Sequence, residues 1–341
     1  MGLYPIGPEY PLLFPDRWFS SGTEGRPRTR GPQEAQRGHE KMKTDYDTIA
    51  DAYALSRRLS EHVIVELQSF CSLTPVSKVL EVGCGTANHI HALIDSVDCA
   101  GWGIDPSEGM RRHAPVHSRL NVCQGSAEFI PFEDAFFDLL FSVNVIHHLL
   151  SPRKYFKESF RVLRPGGWIC TFTDSTEMIQ RREPLSRYWP SSAEADNARY
   201  PTAAALLDAM DQVGFINIAS HEIKKTSCIV DAAPYRERAF SCLRLIDDVQ
   251  FEEGLRLLEE DLRKGPVRVT SEYVCIWGEA PTKHCSERLH REGPGRGRVP
   301  QAPGPDGGSY RVGDGEGQAE LERLQDLQLL DGIQARKRQD A

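Results

Sequence analysis

The stretch VLEVGCGTAN, residues 79–88, decides the fold of this chain. Its apolar residues are typical of the end of a short strand that is buried on both faces, and Glu81 interrupts them. Gly83 and Gly85 follow directly, and glycine permits the sharp turn and the bare backbone that a bulky ligand requires. The stretch therefore predicts a strand that ends at a nucleotide-like ligand. A tight strand-to-helix turn without a ligand is the alternative that these residues leave open.

The two ends of the 341-residue chain differ in composition from its middle. Residues 1–41 are rich in proline and glycine and lack periodicity, which predicts a disordered N-terminal extension with Met42 as an alternative start. Residues 281–317, also rich in glycine and proline, predict a flexible linker. Leucine spacing in residues 318–341 predicts a short helix, which either docks on the body or a partner or stays marginal on a disordered tail. Residues 42–280 are left as one domain.

Charge and cysteine content restrict the partners and the compartment. The net charge is −8 for the whole chain, +1 for residues 1–41 and 0 for residues 282–341, which leaves −9 for the body. Because an acidic body repels phosphate backbones, no nucleic-acid partner is expected. The nine cysteines contain no CxxC pair, which favours reduced thiols in the cytoplasm over disulfides or zinc. No run of eighteen apolar residues occurs, so neither secretion nor membrane insertion is expected.

Strands and helices are predicted to alternate through the body of the chain. This alternation indicates an α/β fold, a doubly wound, mostly parallel sheet of about seven strands covered by helices on both faces. Ligands of such sheets bind beyond the carboxyl ends of the strands, where the strand order reverses. The predicted strands are 77–82, 100–104, 119–123, 137–143, 168–174, 216–224 and 267–278. The predicted helices from the turn onward are 86–96, 107–113, 152–162, 202–215, 231–246 and 249–263.

The second predicted strand ends at Asp105, twenty residues after Gly85. A carboxylate at this position can accept hydrogen bonds from both hydroxyls of a ribose, although capping of the next helix is an alternative role. A dinucleotide site would need a third glycine where Asn88 stands, and a carboxylate at Glu81 would repel a pyrophosphate. Glu81 instead suits a cationic ligand, such as the amino group of an amino-acid moiety.

At this point the sequence resembles the class I S-adenosylmethionine-dependent methyltransferases, of the type 11, small-molecule-like group. EVGCGTA is similar to their first motif, with Ala87 in place of a more usual glycine, and GIDPS is similar to the second. The stretches GSAEFIPFEDAFFDLLFSVNVIHHL and VLRPGGW are similar to the family's segments before the fourth and fifth strands. The resemblance covers about residues 46–280. It implies a Rossmann-like fold, S-adenosylmethionine as cofactor, and methyl transfer to an O, C or N atom of a small molecule.

The resemblance also implies which residues contact the cofactor. Glu81 would lie near its amino group, Asp105 would bind the ribose, and Asn144 would face the sulfonium and the acceptor. Ser126 stands where many relatives have an aspartate for the adenine amino group, so a weaker contact is expected there. Cys84 is interpreted as a small filler, with a reactive thiol as the alternative. The full implied set is Glu81, Gly83, Cys84, Gly85, Asp105, Pro106, Ser107, Ser126, Ala127 and Asn144.

The acceptor side is predicted from three segments. His147 and His148 follow the fourth strand and are candidate general bases, because histidine titrates in the right range; packing around the next helix is the alternative. YDTIADAY resembles a lid helix, which makes Tyr46 and Tyr53 lid candidates or else core residues. The segment 175–200 lies where relatives place substrate-recognising insertions. Its candidates for binding an acidic or aromatic acceptor are Arg181, Arg182, Arg187, Tyr188 and Trp189. The alternative is that the arginines are solvated on a loop.

Three classes of function follow from these observations. The sequence favours a methyltransferase. A nicotinamide-dependent oxidoreductase is the second class and is disfavoured by Glu81 and Asn88. The third class is a methyltransferase-like regulatory or interaction module. No metal site is expected, because Pro115 disrupts the helix that would align His113 with His117.

Overall fold

The computed structural model of this chain describes residues 46–47, 50–51, 54 and 59–282. The predicted N-terminal extension, Met42, Tyr53, the C-terminal helix and all but the first two residues of the predicted linker lie outside the described residues. Within the described part, every helix is too short or too polar to cross a membrane.

Seven strands and ten helices follow one another within residues 59–282. The strands are β1 Lys78–Val82, β2 Ala100–Asp105, β3 Leu120–Gln124, β4 Phe137–Val143, β5 Leu163–Thr173, β6 Ile216–Ile229 and β7 Val267–Glu279. The helices are α1 Glu61–Phe70, α2 Asn88–Val97, α3 Glu108–Arg111, α4 Pro152–Val162, α5 Thr176–Arg181, α6 Leu185–Tyr188, α7 Pro190–Asn197, α8 Ala203–Val213, α9 Ala233–Arg236 and α10 Asp248–Lys264. Short 3₁₀ turns span Ile146–His148 and Ser241–Arg244.

The strands form one sheet in the order β3-β2-β1-β4-β5-β7-β6. The pairs from β3 to β5 are parallel, and β7 is antiparallel to both β5 and β6. The predicted doubly wound, seven-stranded and mostly parallel sheet is therefore confirmed. The strand order reverses at β1 and β4, which pair directly with each other. The crevice beyond these two strands is where a ligand of such a sheet is expected.

Helices cover both faces of the sheet. In β1 the side chains alternate, so that Leu80 and Val82 pack with α4 and α8 while Val79 packs with α1 and α2. A separate cluster of buried residues lies between the segments that follow β5 and β6, with Trp189 and Phe251 among its members.

Several elements differ from the prediction. The strand predicted to end at residue 224 continues to Ile229, because its partner β7 pairs with it as far as Val267. The helix predicted over 231–246 is broken after α9, where Arg238 has a left-handed backbone with φ 46°. The segment 175–200, for which no helix or strand was predicted, forms α5, α6 and α7.

Candidate functional site

The turn after β1 is built around two glycines with left-handed backbones. Gly83 has φ 67° and Gly85 has φ 53°, a region that side chains disfavour. A Cβ atom on Gly83 would lie 2.4 Å from Cγ2 of Val145, so the site accepts only glycine without rearrangement. Ala87 keeps the same left-handed region with φ 59° directly before α2. The turn therefore presents bare backbone beyond the carboxyl end of β1.

Glu81 is a buried carboxylate that α2 and a histidine hold in place. Its side chain is 1% exposed, and Oε2 accepts a 3.0 Å hydrogen bond from the Ile90 backbone N–H. Nδ1 of His89 lies 3.5 Å from Oε1, while Nε2 of His89 accepts from the Ser60 backbone N–H at 3.5 Å. Burial raises the pKa of Glu81, and the contacts with His89 and Ile90 oppose that shift. His89 thus connects the segment before α1 to Glu81.

Asp105 at the tip of β2 is tied to the turn after β1. Its Oδ2 accepts from the Gly85 backbone N–H and its Oδ1 from the Ser107 backbone N–H, both at 2.9 Å. The residue is 9% exposed, and burial raises its pKa while the two backbone N–H donors counteract the rise. Each carboxylate oxygen keeps a further lone pair, so the group can still accept hydrogen bonds from a diol.

The implied residues Pro106, Ser107, Ser126 and Ala127 follow β2 and β3 in the chain. Ser107 caps α3 by accepting from the Met110 N–H at 3.1 Å, and its hydroxyl donates to Oδ1 of Asp47 at 2.7 Å. Asp47 also accepts from the Gly109 N–H at 2.7 Å. The other implied residues divide by exposure: Pro106 and Ser126 are exposed, whereas Ala127 is buried. Ser107 is therefore the N-cap of α3, and the contacts implied between these residues and the cofactor stay predictions.

Cys84 is buried in the turn. Burial, followed by the nearby carboxylates Glu81 and Asp105, raises the pKa of its thiol well above the usual value. A Cβ atom on Gly103 would lie 2.7 Å from the Cys84 sulfur, so the thiol fills the space between β1 and β2. These contacts favour its interpretation as a filler.

Two cavities lie beyond the carboxyl ends of β1, β4 and β5. The smaller one, about 50 Å³, is formed by the turn, with Glu81, Gly85 and His89 in its wall. The larger one, about 170 Å³, is lined by the 3₁₀ turn after β4 and by residues that follow β5 and β6. Asn144 and Tyr273 line both cavities. The cavities therefore meet at these two side chains.

Both predicted histidines line the larger cavity. His147 is 4% exposed, and its ring stacks on Tyr200 with centroids 4.1 Å apart. His148 forms a 2.8 Å hydrogen bond through Nε2 with the Tyr46 hydroxyl. The structure thus brings Tyr46 and the histidine pair together.

Of the candidates in segment 175–200, the structure brings Arg182 to the cavity. Its guanidinium donates to Asp174 at 2.9 Å and to Asp196 at 2.5 Å, and all three side chains are largely buried. Arg199 also binds Asp196, at 2.6 Å. The cavity-lining residues Asp174, Asp196, Tyr200 and Tyr273 were not foreseen, because isolated polar residues in helices and strands carry no local signal.

The remaining candidates of that segment lie away from both cavities. Trp189 is 1% exposed and donates from Nε1 to the Phe251 carbonyl at 2.9 Å. Tyr188 belongs to the same buried cluster and bonds Asp261 at 2.8 Å. Arg181 and Arg187 are half-exposed. Arg181 pairs with Glu222 at the surface and, at 2.9 Å, with the buried Glu272, which lines the larger cavity, whereas Arg187 pairs with Asp261. These four side chains contact structural partners and line neither cavity.

Comparison with known proteins adds an independent observation. Residues 80–171 match the family model described as a methyltransferase domain. A malonyl-[acyl-carrier protein] O-methyltransferase from Marinomonas is 26% identical over 194 residues, which cover 55% of this chain and 70% of that protein. A tRNA U34 carboxymethyltransferase from Idiomarina loihiensis is 30% identical over 164 residues, 44% of this chain and 49% of that protein. This chain thus spans about half the length of the second relative.

A solved structure shares the fold. It is a protein from Anabaena variabilis, described as a methyltransferase of an antibiotic biosynthesis pathway, with a TM-score of 0.54 and 23% identity. The match covers 65% of this chain and 98% of that one.

Proposed function

Because this chain contains a class I S-adenosylmethionine-dependent methyltransferase domain, we propose that it transfers a methyl group to a small-molecule acceptor. The observation that carries the proposal is the pair of cavities that meet at Asn144 and Tyr273. In the proposal, the smaller cavity takes the methionine end of the cofactor and the larger one takes the acceptor. In-line displacement needs the nucleophile, the methyl carbon and the sulfur in one row, and two cavities in series supply that path.

The residues around the smaller cavity fit the cofactor. Glu81 offers a fixed negative charge to an ammonium group, because Ile90 and His89 hold both of its oxygens. Asp105 offers its free lone pairs to the two ribose hydroxyls. The side-chain oxygen of Asn144 is buried without a hydrogen-bond partner, which is typical of an atom that a ligand satisfies.

The chemistry asks the chain mainly for positioning. When bound, S-adenosylmethionine supplies a methyl group already activated by a sulfonium. The walls around Asn144 hold the acceptor in line and exclude water from the transfer point. Transfer would leave the electron pair of the S–CH₃ bond on sulfur and would form the new bond with the acceptor's lone pair. His147 and His148 line the acceptor side, where an imidazole can take the proton that a hydroxyl or amine acceptor releases.

A small acceptor is supported by the walls of the larger cavity. The cavity has a volume of about 170 Å³, which has room for the reacting end of an acceptor. Tyr200, Tyr235 and Phe240 supply aromatic surface, and Arg182 with its two carboxylate partners supplies polar surface. The acidic body also disfavours a polynucleotide as the acceptor.

A screen with methyl-labelled donor tests this proposal. Full-length protein is incubated with a metabolite extract, with bulk RNA and with a protein extract in separate reactions, and the labelled product is identified in each. The expected result is label in small molecules alone. Label in RNA or protein alone would overturn the small-molecule acceptor. Binding of S-adenosylhomocysteine without any labelled product would favour the regulatory alternative.

A further inference from the structure

Asn144 and Tyr273 line both cavities. The sequence predicted Asn144 at the site but did not predict Tyr273. We propose that the Tyr273 hydroxyl and the Asn144 side-chain oxygen form a pair of oxygens around the transferred methyl group, which makes Tyr273 a catalytic residue. The inference rests on the proposed function, because it places the methyl group at Asn144 and Tyr273, the two residues that line both cavities.

The ring of Tyr273 is fixed before any ligand binds. Tyr273 lies on β7, is 6% exposed, and stacks on His62 of α1 with centroids 5.3 Å apart. On its other side, Phe172 of β5 meets it edge-on at 6.1 Å. The imidazole of His62 is favoured in its neutral form, because burial first and then the charges of Lys225 and His89 lower its pKa. The phenol therefore points in one direction at little cost in side-chain entropy.

Among residues 59–282, the hydroxyl of Tyr273 has polar contacts only at the wall of the cofactor cavity. Its oxygen lies 3.3 Å from Oγ of Ser60 and accepts a 3.4 Å hydrogen bond from Nδ2 of Asn144. Ser60 and Asn144 themselves line the smaller cavity. A phenylalanine at position 273 would retain both ring contacts and lose these polar ones. The ring therefore packs in the core, whereas the hydroxyl forms part of the cavity wall.

The side-chain oxygen of Asn144 is the second member of the pair. Asn144 ends β4 in a left-handed conformation with φ 57°, which asparagine tolerates, and its backbone N–H donates to the Phe172 carbonyl at 3.0 Å. Because Nδ2 donates to Tyr273, Oδ1 is left as an acceptor, and Oδ1 is buried with no hydrogen-bond partner. A ligand that donates a hydrogen bond to this oxygen would satisfy it.

Two oxygens at this junction match the charge of the reacting group. A methyl group on a sulfonium carries partial positive charge on its hydrogens, and oxygen acceptors stabilise such polarised C–H groups. In the transition state that charge lies between the departing sulfur and the nucleophile, so fixed oxygens beside the path stabilise it without rearrangement.

The test uses two cofactor analogues and needs no knowledge of the acceptor. S-Adenosylhomocysteine has no group at the methyl position, whereas sinefungin carries an ammonium-bearing carbon in place of the methylated sulfur. Calorimetry is run with both analogues on the full-length wild type and on Tyr273→Phe. The variant is expected to bind S-adenosylhomocysteine within about two-fold of the wild type. Its Kd for sinefungin should rise roughly ten-fold, as for the loss of one hydrogen bond to a charged group.

Tyr188→Phe is the matched control, because it removes a phenol hydroxyl that binds Asp261 away from both cavities. Both affinities should stay unchanged in that variant. Equal losses for the two analogues in Tyr273→Phe would show a structural role, and unchanged affinities would show no role; either result overturns the inference. A wild type that binds neither analogue would instead overturn the proposed function on which the inference rests.

Discussion

Gly85 donates its backbone N–H to Oδ2 of Asp105 over 2.9 Å, so the turn after β1 and the tip of β2 are one hydrogen-bonded unit. The second carboxylate oxygen accepts from Ser107, at the start of α3. Asp105 is therefore positioned by backbone donors from two different segments. Any ligand that binds Asp105 also lies against the Gly83–Gly85 turn.

Asp105→Asn is expected to weaken cofactor binding. The amide keeps the size of the side chain but removes the charge and one of the acceptor oxygens that we propose bind the ribose. Loss of one hydrogen bond to a charged group corresponds to roughly a ten-fold rise in Kd. Calorimetry with S-adenosylhomocysteine measures it, and Asp208→Asn on the exposed face of α8 is the control. Equal affinity of Asp105→Asn and wild type would contradict ribose binding by Asp105.

Glu81→Gln is expected to change how stability depends on pH. Burial raises the pKa of Glu81 in the folded chain, so above the ordinary carboxyl pKa of 4.5 the folded state binds more protons than the unfolded state. By linkage, this group's contribution to the free energy of unfolding is present at low pH and falls as pH rises through that window. Glu81→Gln should lack that fall.

Urea unfolding of ligand-free protein from pH 4.5 to 7.5 measures this difference. The free energy of unfolding of Glu81→Gln relative to wild type should increase with pH across the series. A difference that decreases with pH would mean that the carboxylate stabilises the fold when charged. The same variant should bind S-adenosylhomocysteine more weakly, because the proposed counter-ion of its ammonium group is lost.

Arg182→Met is expected to cost about 3–5 kcal/mol of stability, because it leaves the buried carboxylates Asp174 and Asp196 without the guanidinium between them. Arg187→Met is the matched control. Arg187 is 54% exposed and pairs with Asp261, and such exposed pairs contribute about 0–1 kcal/mol. Denaturant unfolding compares the two variants. Similar losses in both would show that the Arg182 cluster is no more important than a surface ion pair.

Cys84 is expected to resist alkylation in the folded protein. Burial raises the pKa of its thiol, and the thiolate is the reactive form. Cys228 is exposed on β6 and should be modified first. Iodoacetamide labelling followed by peptide mass spectrometry gives the two rates. Comparable rates under native conditions would support the reactive-thiol interpretation of Cys84.

Much of the fold was predictable because its signals are local. The apolar run of β1, the glycines after it and the acid at the end of β2 lie within short stretches, and each pattern reflects backbone geometry or burial. The short helices of segment 175–200 were not predictable, because they are stabilised by contacts with distant elements such as α10.

The aromatic residues of segment 175–200 show the same limit of prediction from sequence. Trp189 and Tyr188 have the composition of a binding loop, yet Phe251 and Asp261, far along the chain, give them structural partners. Tyr273 has the composition of a buried strand residue, yet its hydroxyl reaches Asn144 across the sheet. Side-chain type alone does not tell these cases apart, since the partner decides the role.

By itself, the sequence determined the alternating architecture, the sharp turn at Gly83 and Gly85, and the acids Glu81 and Asp105 beside it, because backbone conformation and strand periodicity act over a few residues. Only the tertiary structure decided that Tyr273 meets Asn144 and that Arg182 is clamped by Asp174 and Asp196. Those contacts join residues from different elements, and packing of the whole sheet and its helices is what brings them together.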